Sequence, residues 1–506
     1  MSAQAPLSYL LTARDSLDFA RLSGDFNPLH VDAVAARRLQ FGGTVHHGIH
    51  LVLKALDLAT AAGLLAPARI SAIGAVFATS ARTGTPVDLA LAHEPGSDRA
   101  RLVGSNAGRV LFTARLGLTQ PLPAGPMPVE AAPELPSQAL CPDFPDTSAD
   151  GSAMASSVPL RLNLALLRAL LPALADSPQG PQLAADLLAT TRIVGMACPG
   201  LHSIYSEFKL QRRSPGEPGA PQLAGCMPYA VQRADPRFRN VRIAVSGGSF
   251  DGTLEAFFRA PPVAQLTLDQ VCRQVSPQRF AGQHALVVGG SRGLGELAAK
   301  VLLAGAARVV LTYAGGRDDA LRVCAEAAAL GRDCRALQLD ASQPLPPATA
   351  EAIRSAGFTH LYHFATPQIA KSPTAAWNAE LFGNFCKLYV HGLAELVHCV
   401  APKNPASARL QVLYPSTVFL DQAEKGFAEY CAAKAAGEAL CDHLALIPGV
   451  AVSKPRLPRL QTDQNGSFRG VAGLAPMPVV LALLCTLHPA TATAPALCDD
   501  AARVGQ

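Results

Sequence analysis

A dense group of prolines separates two parts of this chain. Between residues 121 and 145 the prolines are Pro121, Pro123, Pro126, Pro128, Pro133, Pro136, Pro142 and Pro145. Because proline lacks a backbone N–H and fixes φ, such a segment can form neither a helix nor a central strand. We therefore predict an extended linker over residues 121–154, which follows a first domain at residues 1–120.

The composition indicates globular domains. Of the 506 residues, 49% are hydrophobic and only 16% are charged, which favours well-buried cores over disorder. A chain of this length holds roughly two to four domains. The net charge of +5 is small and scattered, so we expect no nucleic-acid partner. The twelve cysteines include no CxxC pair and are interpreted as reduced thiols.

The apolar stretches of the chain do not predict a membrane protein. The N-terminus lacks a basic start followed by an apolar core, so we expect no signal peptide. The most apolar stretch, residues 471–487, is interrupted by Pro476 and Pro478 and falls short of the roughly 20 residues that a span needs. We interpret it as a buried helix and expect a cytoplasmic protein without membrane association.

The first domain carries a carboxylate and an imidazole five positions apart. They are Asp25 and His30 in the run GDFNPLH, where the Asn27-Pro28 step is biased away from helix. Asp and His together suit water chemistry near neutral pH, because one can orient a water while the other moves a proton. A plain surface turn is the alternative interpretation, since Gly, Asp, Asn and Pro are all turn residues.

A second segment supports the chemical interpretation of Asp25 and His30. His47-Gly48 opens an apolar stretch that is typical of a buried helix. From Phe19 to Gly48 the sequence resembles the motif of the MaoC-type (R)-specific enoyl-thioester hydratases and dehydratases, which have the hotdog fold. The resemblance implies that Asp25 and His30 are the catalytic pair. It also implies that a backbone N–H at Gly48 binds the thioester oxygen at a helix start.

Residues 155–265 show a similar order of elements without the GDFNPLH motif. The stretch VPLRLNLALLRALLPALA, residues 158–175, is predicted as a central helix, and three strand-like stretches follow it. We interpret this region as a second, non-catalytic hotdog half that completes an α+β double hotdog and shapes the acyl tunnel. The lone His202 is interpreted as a structural histidine.

After a linker at residues 266–283, residues 284–506 alternate strand-like and helix-like stretches. This alternation predicts an α/β doubly wound parallel sheet. A glycine-rich run from Gly289 to Gly295 follows a strand and opens a helix, which is the context of a phosphate-binding loop. Glycines let backbone N–H groups approach a pyrophosphate, and the helix start favours its charge.

A second set of chemical residues lies in the same region. Tyr430 and Lys434 form a YxxxK pair on one helix face, where the ammonium would lower the pKa of the phenol. Such a phenol can give a proton to a carbonyl oxygen. Ser416 and Thr417 end a preceding strand. The glycine spacing, the Ser-Thr strand end and YxxxK together resemble the Rossmann-like short-chain dehydrogenase/reductase family.

This second resemblance implies roles for particular residues. Tyr430 and Lys434 would be catalytic with a hydroxyl that holds the substrate carbonyl; we choose Ser416 and leave Thr417 open. The cofactor-binding residues implied are Gly289, Ser291, Arg292, Gly293, Leu294, Gly295, Tyr313, Asp340 and Ala365. Two positions depart from the family pattern, because Tyr389 stands where the family has Asn and Phe364-Ala365-Thr366 replaces Asn-Ala-Gly. No metal is expected.

The cofactor choice follows from charge. An acid at the end of the second strand would bind the ribose of NAD, but Thr312-Tyr313-Ala314-Gly315 has none. Arg292 can meet a 2′-phosphate instead, so we predict NADP.

Together the resemblances imply a bifunctional enzyme, an NADPH-dependent 3-oxoacyl-thioester reductase with a 3-hydroxyacyl-thioester dehydratase. The acyl chain would be carried by acyl carrier protein or coenzyme A, and a homo-oligomer is expected by resemblance only. The first alternative is the reverse sequence, enoyl-CoA hydration followed by NAD(P)-linked oxidation. The second is a hydratase whose dehydrogenase-like region only senses the dinucleotide.

Overall fold

The computed structural model describes residues 7–39, 41–121, 128–141, 155–213, 225–259, 261–369, 377–406, 408–462, 466–467, 470–471 and 473–487. The chain forms two compact units, one made of residues 1–261 with 467–470 and the other of residues 262–466 with 471–506.

The first unit is built on a ten-stranded antiparallel sheet. Its strands in chain order are Leu7–Leu10, Ile70–Phe77, Pro86–His93, Arg99–Asn106, Arg109–Leu118, Ala155–Pro159, Ser203–Arg212, Cys226–Asp235, Asn240–Gly247 and Phe250–Phe258. Five strands from each half of the unit lie in mirrored order on either side of one central pair, in which Ile70–Phe77 runs antiparallel to Ser203–Arg212. This repeated order confirms the double hotdog that the sequence predicts.

Each half has a buried helix before its longest run of strands. In the first half this is Gly48–Ala61, whose side chains from Ile49 to Leu56 are largely buried. In the second half it is Gly180–Arg192, with nearly every residue buried. The prediction of a central helix at residues 158–175 was wrong. That stretch holds the end of a strand and two short helices, because Pro159 and Pro172 interrupt its backbone hydrogen bonds.

The core of the first unit lies between the sheet and these helices. Phe112, Phe208 and Phe250 from the strands pack in one cluster with Leu53 and Leu187 from the two helices. The other helices of this unit are Ala13–Ser23, Pro28–Val31, Ala33–Ala36, Pro67–Arg69, Leu164–Leu170, Pro172–Ala175, the π-helical turn Ile193–Ala197 and Gly200–His202.

Part of the proline-rich segment lies against the first unit. Val129–Glu130 pairs in parallel with Arg161–Leu162. Leu140 N–H donates to the carbonyl of Met196, and Leu201 N–H donates to that of Leu140. Residues 128–141 therefore run extended along the second half.

The second unit has a six-stranded parallel sheet. In spatial order its strands are Cys334–Gln338, Arg308–Tyr313, His284–Val288, His360–His363, Leu410–Leu413 and Val450–Ser453. The first strand in sequence, His284–Val288, lies between the second and the fourth. This is the 3-2-1-4-5-6 order of a doubly wound dinucleotide-binding sheet, which confirms the predicted fold class.

The helices of the second unit surround that sheet. They are Leu268–Cys272, Gly293–Ala304, Arg317–Ala329, Pro347–Ser355, Ala379–Cys386, the π-helical turn Lys387–Gly392, Leu393–Val400, Val418–Leu420, Ala428–Leu444 and Pro476–Thr486. Short strands are Ser416–Thr417, paired with Arg456–Leu457, and also Gly466–Ser467 and Gly470–Val471.

The apolar stretch near the C-terminus forms the helix Pro476–Thr486. Its Met477, Val480 and Leu484 are buried in one cluster with Leu297 and Val301 of the helix Gly293–Ala304. Within the part of the chain that the structure describes, no helix is both long and apolar enough to cross a membrane.

Candidate functional site

The loop that carries Asp25 and His30 is a sharp turn between two helices. The helix Ala13–Ser23 ends at Gly24, whose φ of 74° lies in the left-handed region that glycine adopts without strain. The next helix begins at Pro28, and the Asn27 side chain caps it by accepting from Leu29 N–H at 3.2 Å. The end of one helix and the start of the next thus fix the backbone conformation around Asp25 and His30.

Asp25 is buried and held from both halves of the unit. Its Oδ2 accepts from the Thr191 hydroxyl at 2.7 Å, and its Oδ1 accepts from Asn27 N–H at 3.2 Å. A Cβ on Gly195 would come within 2.3 Å of the carboxylate, so glycine is needed where the π-helical turn passes it. Burial raises the pKa of Asp25, although the His30 charge and the Thr191 hydrogen bond oppose the shift.

His30 is oriented by a backbone carbonyl. Its Nδ1 lies 2.8 Å from the oxygen of Val45, which can only accept, so Nδ1 carries the proton and Nε2 keeps its lone pair. Burial lowers the pKa of His30, partly offset by the charge of Asp25. The structure therefore favours a neutral imidazole beside a carboxyl group with a raised pKa.

Asn27 connects the loop to the second half. Its Nδ2 lies within hydrogen-bond distance of three backbone carbonyls, those of Gly195 at 3.0 Å, Gly200 at 3.2 Å and Leu201 at 3.3 Å. The second half, which lacks the motif, therefore positions the loop of the first half that carries Asp25 and His30.

Gly48 is the first residue of the central helix Gly48–Ala61. The N–H groups of a first helical turn have no acceptor within the helix and carry the positive end of its dipole. A Cβ on Gly48 would lie 2.7 Å from the ring of Phe77, so a side chain at this position requires that ring to move. Gly48 thus lets the start of the helix pack closely against Phe77.

Asp25, His30 and His47 each place a potential metal-ligating atom within 4.8 Å of the others. The rings of His30 and His47 are stacked, with centroids 3.8 Å apart and an angle of 25° between planes. The nitrogen lone pairs lie in the planes of these stacked rings, so they point in parallel directions and not towards one ion. In addition, His47 Nε2 donates to the Asp25 carbonyl at 3.0 Å. The arrangement suits proton transfer better than metal coordination.

In the second unit, the glycine loop lies at the point where the strand order reverses. It follows His284–Val288, and Phe364-Ala365 follow the neighbouring strand His360–His363. Gly289 has a φ of 77°, and a Cβ there would lie 2.7 Å from Ala365 Cα. A Cβ on Gly295 would lie 2.2 Å from the Gly289 carbonyl oxygen. The loop is therefore packed tightly against Ala365, and the N–H groups of Gly289 and Gly290 donate to the hydroxyl and the carbonyl of Thr312.

The other predicted cofactor residues surround this loop. Ser291 is buried, while Arg292 immediately precedes the helix Gly293–Ala304 and Leu294 lies in its first turn. Tyr313 ends the second strand, and its carbonyl accepts from Leu339 N–H at 2.9 Å. Asp340 is exposed and accepts from the Ser342 hydroxyl at 2.7 Å. The structure thus brings the predicted set to one edge of the parallel sheet.

Tyr430 and Lys434 are both buried on the helix Ala428–Leu444. Lys434 Nζ donates to the Pro415 carbonyl at 2.7 Å and lies 3.9 Å from the ring centroid of Tyr389 and 4.6 Å from that of Tyr414. Burial lowers the pKa of Lys434 to about 7 and raises that of Tyr430 to about 12. The direction for Tyr430 is opposite to the lowered pKa expected from the spacing, because burial of the phenol is the largest cause of the shift.

The two hydroxyls at the strand end have different partners. Ser416 donates to Glu438, whose carboxylate also binds Arg456 Nη2 at 2.7 Å. The Thr417 hydroxyl lies near enough to the phenol of Tyr430 to oppose the rise in its pKa that burial causes. The structure therefore groups Thr417 with Tyr430 and draws Ser416 into a different network.

Residues 2–108 match the family model of the MaoC like domain, and residues 283–449 match that of the short chain dehydrogenase. The chain is a fusion of these two families.

Solved structures resemble the dehydrogenase domain. One is a short chain dehydrogenase from Burkholderia cenocepacia J2315 in complex with NADP, with 22% identity over 42% of this chain and 92% of that chain and a TM-score of 0.37. Another is a blue fluorescent protein from a metagenomic library in complex with NADPH, with 19% identity over 42% of this chain and 93% of that one and a TM-score of 0.37. No curated protein matches the chain.

The short-chain dehydrogenase family implies a nicotinamide dinucleotide, and the residues present fit that group. At Gly289 and Gly295 any Cβ would collide with backbone, so only glycine fits this tight turn, which leads into the helix Gly293–Ala304. The N–H groups of the first turn of that helix have no acceptor within the helix. Such a backbone cradle suits a pyrophosphate.

Three contacts in the MaoC–dehydrogenase fusion were missed from sequence. Thr191 and Gly195 reach Asp25 from the second half, where no motif marks them. Tyr389 departs from the family pattern, but the sequence does not predict that its ring contacts the Lys434 ammonium. Tyr389 lies one helical turn before Gly392, and an aromatic residue at that position could have indicated a cation–π partner for Lys434.

Proposed function

We propose that the fusion protein is an NADPH-dependent 3-oxoacyl-thioester reductase and a 3-hydroxyacyl-thioester dehydratase. The observation that carries the proposal is the convergence of Asp25 and His30 in a buried site whose walls come from both hotdog halves. A MaoC-like domain and a short-chain dehydrogenase domain in one chain support two chemical steps on one acyl group.

In the hydratase direction, a water between the two side chains adds to C3 of an enoyl thioester. Neutral His30 takes the proton of that water at Nε2, and the Asp25 carboxyl delivers a proton to C2. Gly48 N–H would stabilise the charge that develops on the thioester oxygen. Dehydration reverses each transfer. The opposite directions of the pKa shifts support these assignments, since burial favours the protonated form of Asp25 and the neutral form of His30.

In the dehydrogenase domain, Tyr430 would donate its phenolic proton to the carbonyl oxygen of the substrate. Its raised pKa keeps it protonated at neutral pH, which suits reduction. Thr417, whose hydroxyl lies near the Tyr430 phenol, would hold the same oxygen. A bound NADPH would supply the hydride. We infer a preference for the 2′-phosphate because no acid follows Tyr313 and Arg292 stands in the loop.

A single chain would keep the hydroxyacyl intermediate near both sites by raising its effective concentration. The test is NADPH absorbance with acetoacetyl thioester, with acyl products analysed by mass. We expect NADPH oxidation followed by loss of water. Asp25→Ala should abolish water loss and leave NADPH oxidation intact, whereas Tyr430→Phe should abolish oxidation and leave hydration of crotonyl thioester intact. Parallel loss of both activities in either variant would contradict two independent sites.

A hydratase with a silent dinucleotide domain is the second candidate. The packing of Tyr389 and Tyr414 around Lys434 favours it, because the ammonium already has two rings and the Pro415 carbonyl as partners. This candidate predicts nucleotide binding without any oxidation of NADPH or NADH by the wild-type protein.

A further inference from the structure

A buried guanidinium lies beside the hydratase site. Arg259 directly follows the last strand of the sheet, Phe250–Phe258, and only 5% of its surface is exposed. Its Nη2 donates to the Leu201 carbonyl at 2.5 Å. Its Nε and Nη1 have no hydrogen-bond partner among the residues that the structure describes. An unpaired buried charge is costly, so a site of this kind calls for an anion.

The position of Arg259 relative to the catalytic loop is fixed by a shared acceptor. The Leu201 carbonyl that accepts from Arg259 also accepts from Asn27 Nδ2 at 3.3 Å. Arg259 N–H donates to the His202 carbonyl at 2.8 Å. The guanidinium charge also contributes to the lowered pKa of His30. Arg259 therefore lies next to the loop that holds Asp25 and His30.

The surroundings of Arg259 are positive. Arg239 donates to the backbone carbonyls of Phe258 at 2.9 Å and Arg259 at 3.4 Å. His202 Nδ1 has no partner among the described residues, and burial, with a contribution from both arginines, lowers the pKa of His202. Across the described part of this unit, no ion pair connects a carboxylate to either arginine. The local field thus favours a ligand anion.

We propose that Arg259 binds a carboxylate on the acyl group of the hydratase substrate, so that the preferred substrate is the thioester of a dicarboxylic 2-enoic or 3-hydroxy acid. This inference rests on the proposed hydratase activity. A carboxylate on the acyl group fits better than the phosphate of the carrier. The carrier phosphate lies at the far end of the pantetheine arm from the thioester, whereas Arg259 is buried beside the catalytic loop. Arginine is suited to carboxylate recognition through charge-assisted hydrogen bonds.

The test compares N-acetylcysteamine thioesters of two 2-enoic acids of equal chain length, one ending in a methyl group and one in a carboxylate. We expect the wild-type protein to hydrate the carboxylate-ended thioester with a kcat/KM about 10- to 100-fold higher. Arg259→Gln should remove that preference, because it should lower the rate for the carboxylate-ended thioester about 10- to 100-fold more than the rate for the methyl-ended one. Arg259→Lys, which keeps the charge, should retain part of it.

Arg242→Gln is the matched control, because Arg242 is exposed on a neighbouring strand and pairs with Glu255 at 2.6 Å. It should behave as wild type. Wild-type hydration of both thioesters without preference overturns this inference alone, whereas hydration of neither overturns the proposed hydratase as well. Equal loss on both thioesters in Arg259→Gln would assign Arg259 a structural role and overturn the proposal.

The carrier phosphate is tested with coenzyme A thioesters of the same acids. If Arg259→Gln removed an advantage of coenzyme A over N-acetylcysteamine and left the carboxylate preference unchanged, the anion would be the carrier phosphate and the proposal would be overturned.

Discussion

Replacing Gly195 with alanine tests whether the second hotdog half positions the catalytic carboxylate. A Cβ at this position would lie 2.3 Å from Asp25 Oδ1 and 2.4 Å from Oδ2. Because ordinary contacts of this kind begin near 3.4 Å, the carboxylate must move by roughly 1 Å. A displacement of about 1 Å at a reacting group can cost about 100-fold in rate. We therefore expect Gly195→Ala to lower hydratase kcat/KM about 100-fold.

The expected cost in stability is small by comparison. Overpacking costs about 1–3 kcal/mol, and alanine is favoured over glycine in a helix by about 1 kcal/mol. The net change in the free energy of unfolding should therefore be about 0–2 kcal/mol. A folded variant with a strongly reduced hydratase rate is the signature of displacement rather than unfolding.

The assay measures hydration of crotonyl thioester and NADPH oxidation with acetoacetyl thioester on the same preparation. Only the hydration rate should fall. Gly383→Ala is the control, because Gly383 also lies in a helix and its Cβ would meet nothing within 4 Å. It should change neither rate. Hydration by Gly195→Ala within about threefold of wild type would refute the reasoning.

Three further predictions concern single side chains. Thr191→Val removes the hydrogen bond that opposes the raised pKa of Asp25, so the alkaline limb of the hydration pH profile should move to higher pH; an unmoved limb would exclude Asp25 as the proton donor. Thr417→Val should lower the rate of 3-oxoacyl reduction about 10- to 100-fold, whereas Ser416→Ala should change it little, and the opposite ranking would favour Ser416. Burial raises the pKa of Asp186 to about 7. The native state therefore holds a proton that the unfolded chain releases, and stability should fall as pH rises from about 4 to 7. Asp186→Asn should weaken the decrease of the free energy of unfolding with pH, as measured by urea unfolding between pH 5 and 8. An unchanged decrease would contradict this prediction.

The second hotdog half makes contacts that matter for any engineering of the hydratase domain. This half lacks the GDFNPLH motif, yet Thr191 and Gly195 contact Asp25 and three of its carbonyls lie within reach of Asn27. Truncation at the proline-rich segment should therefore remove catalytic support as well as part of the sheet.

Much of the fold was predictable because its signals are local. The strand–glycine–helix order around Gly289 and the alternation after it predicted the parallel sheet, and the motif at residues 24–30 with the helix at Gly48 predicted the first hotdog half. The second central helix was misplaced. Residues 158–175 are as apolar as a buried helix, and only Pro159 and Pro172 indicated that they could not form one.

The amino-acid sequence alone shows which chemical groups are present and which of them lie close along the chain. These are Asp25 with His30, and Tyr430 with Lys434. Their spacing sets the geometry, since a turn or a helix face is defined within a few residues. Only the tertiary structure decided which distant groups reach them. Thr191 contacts Asp25 from 166 residues away. Whether a pKa rises or falls was likewise decided by burial, because desolvation depends on everything packed around a group and not on its neighbours in sequence.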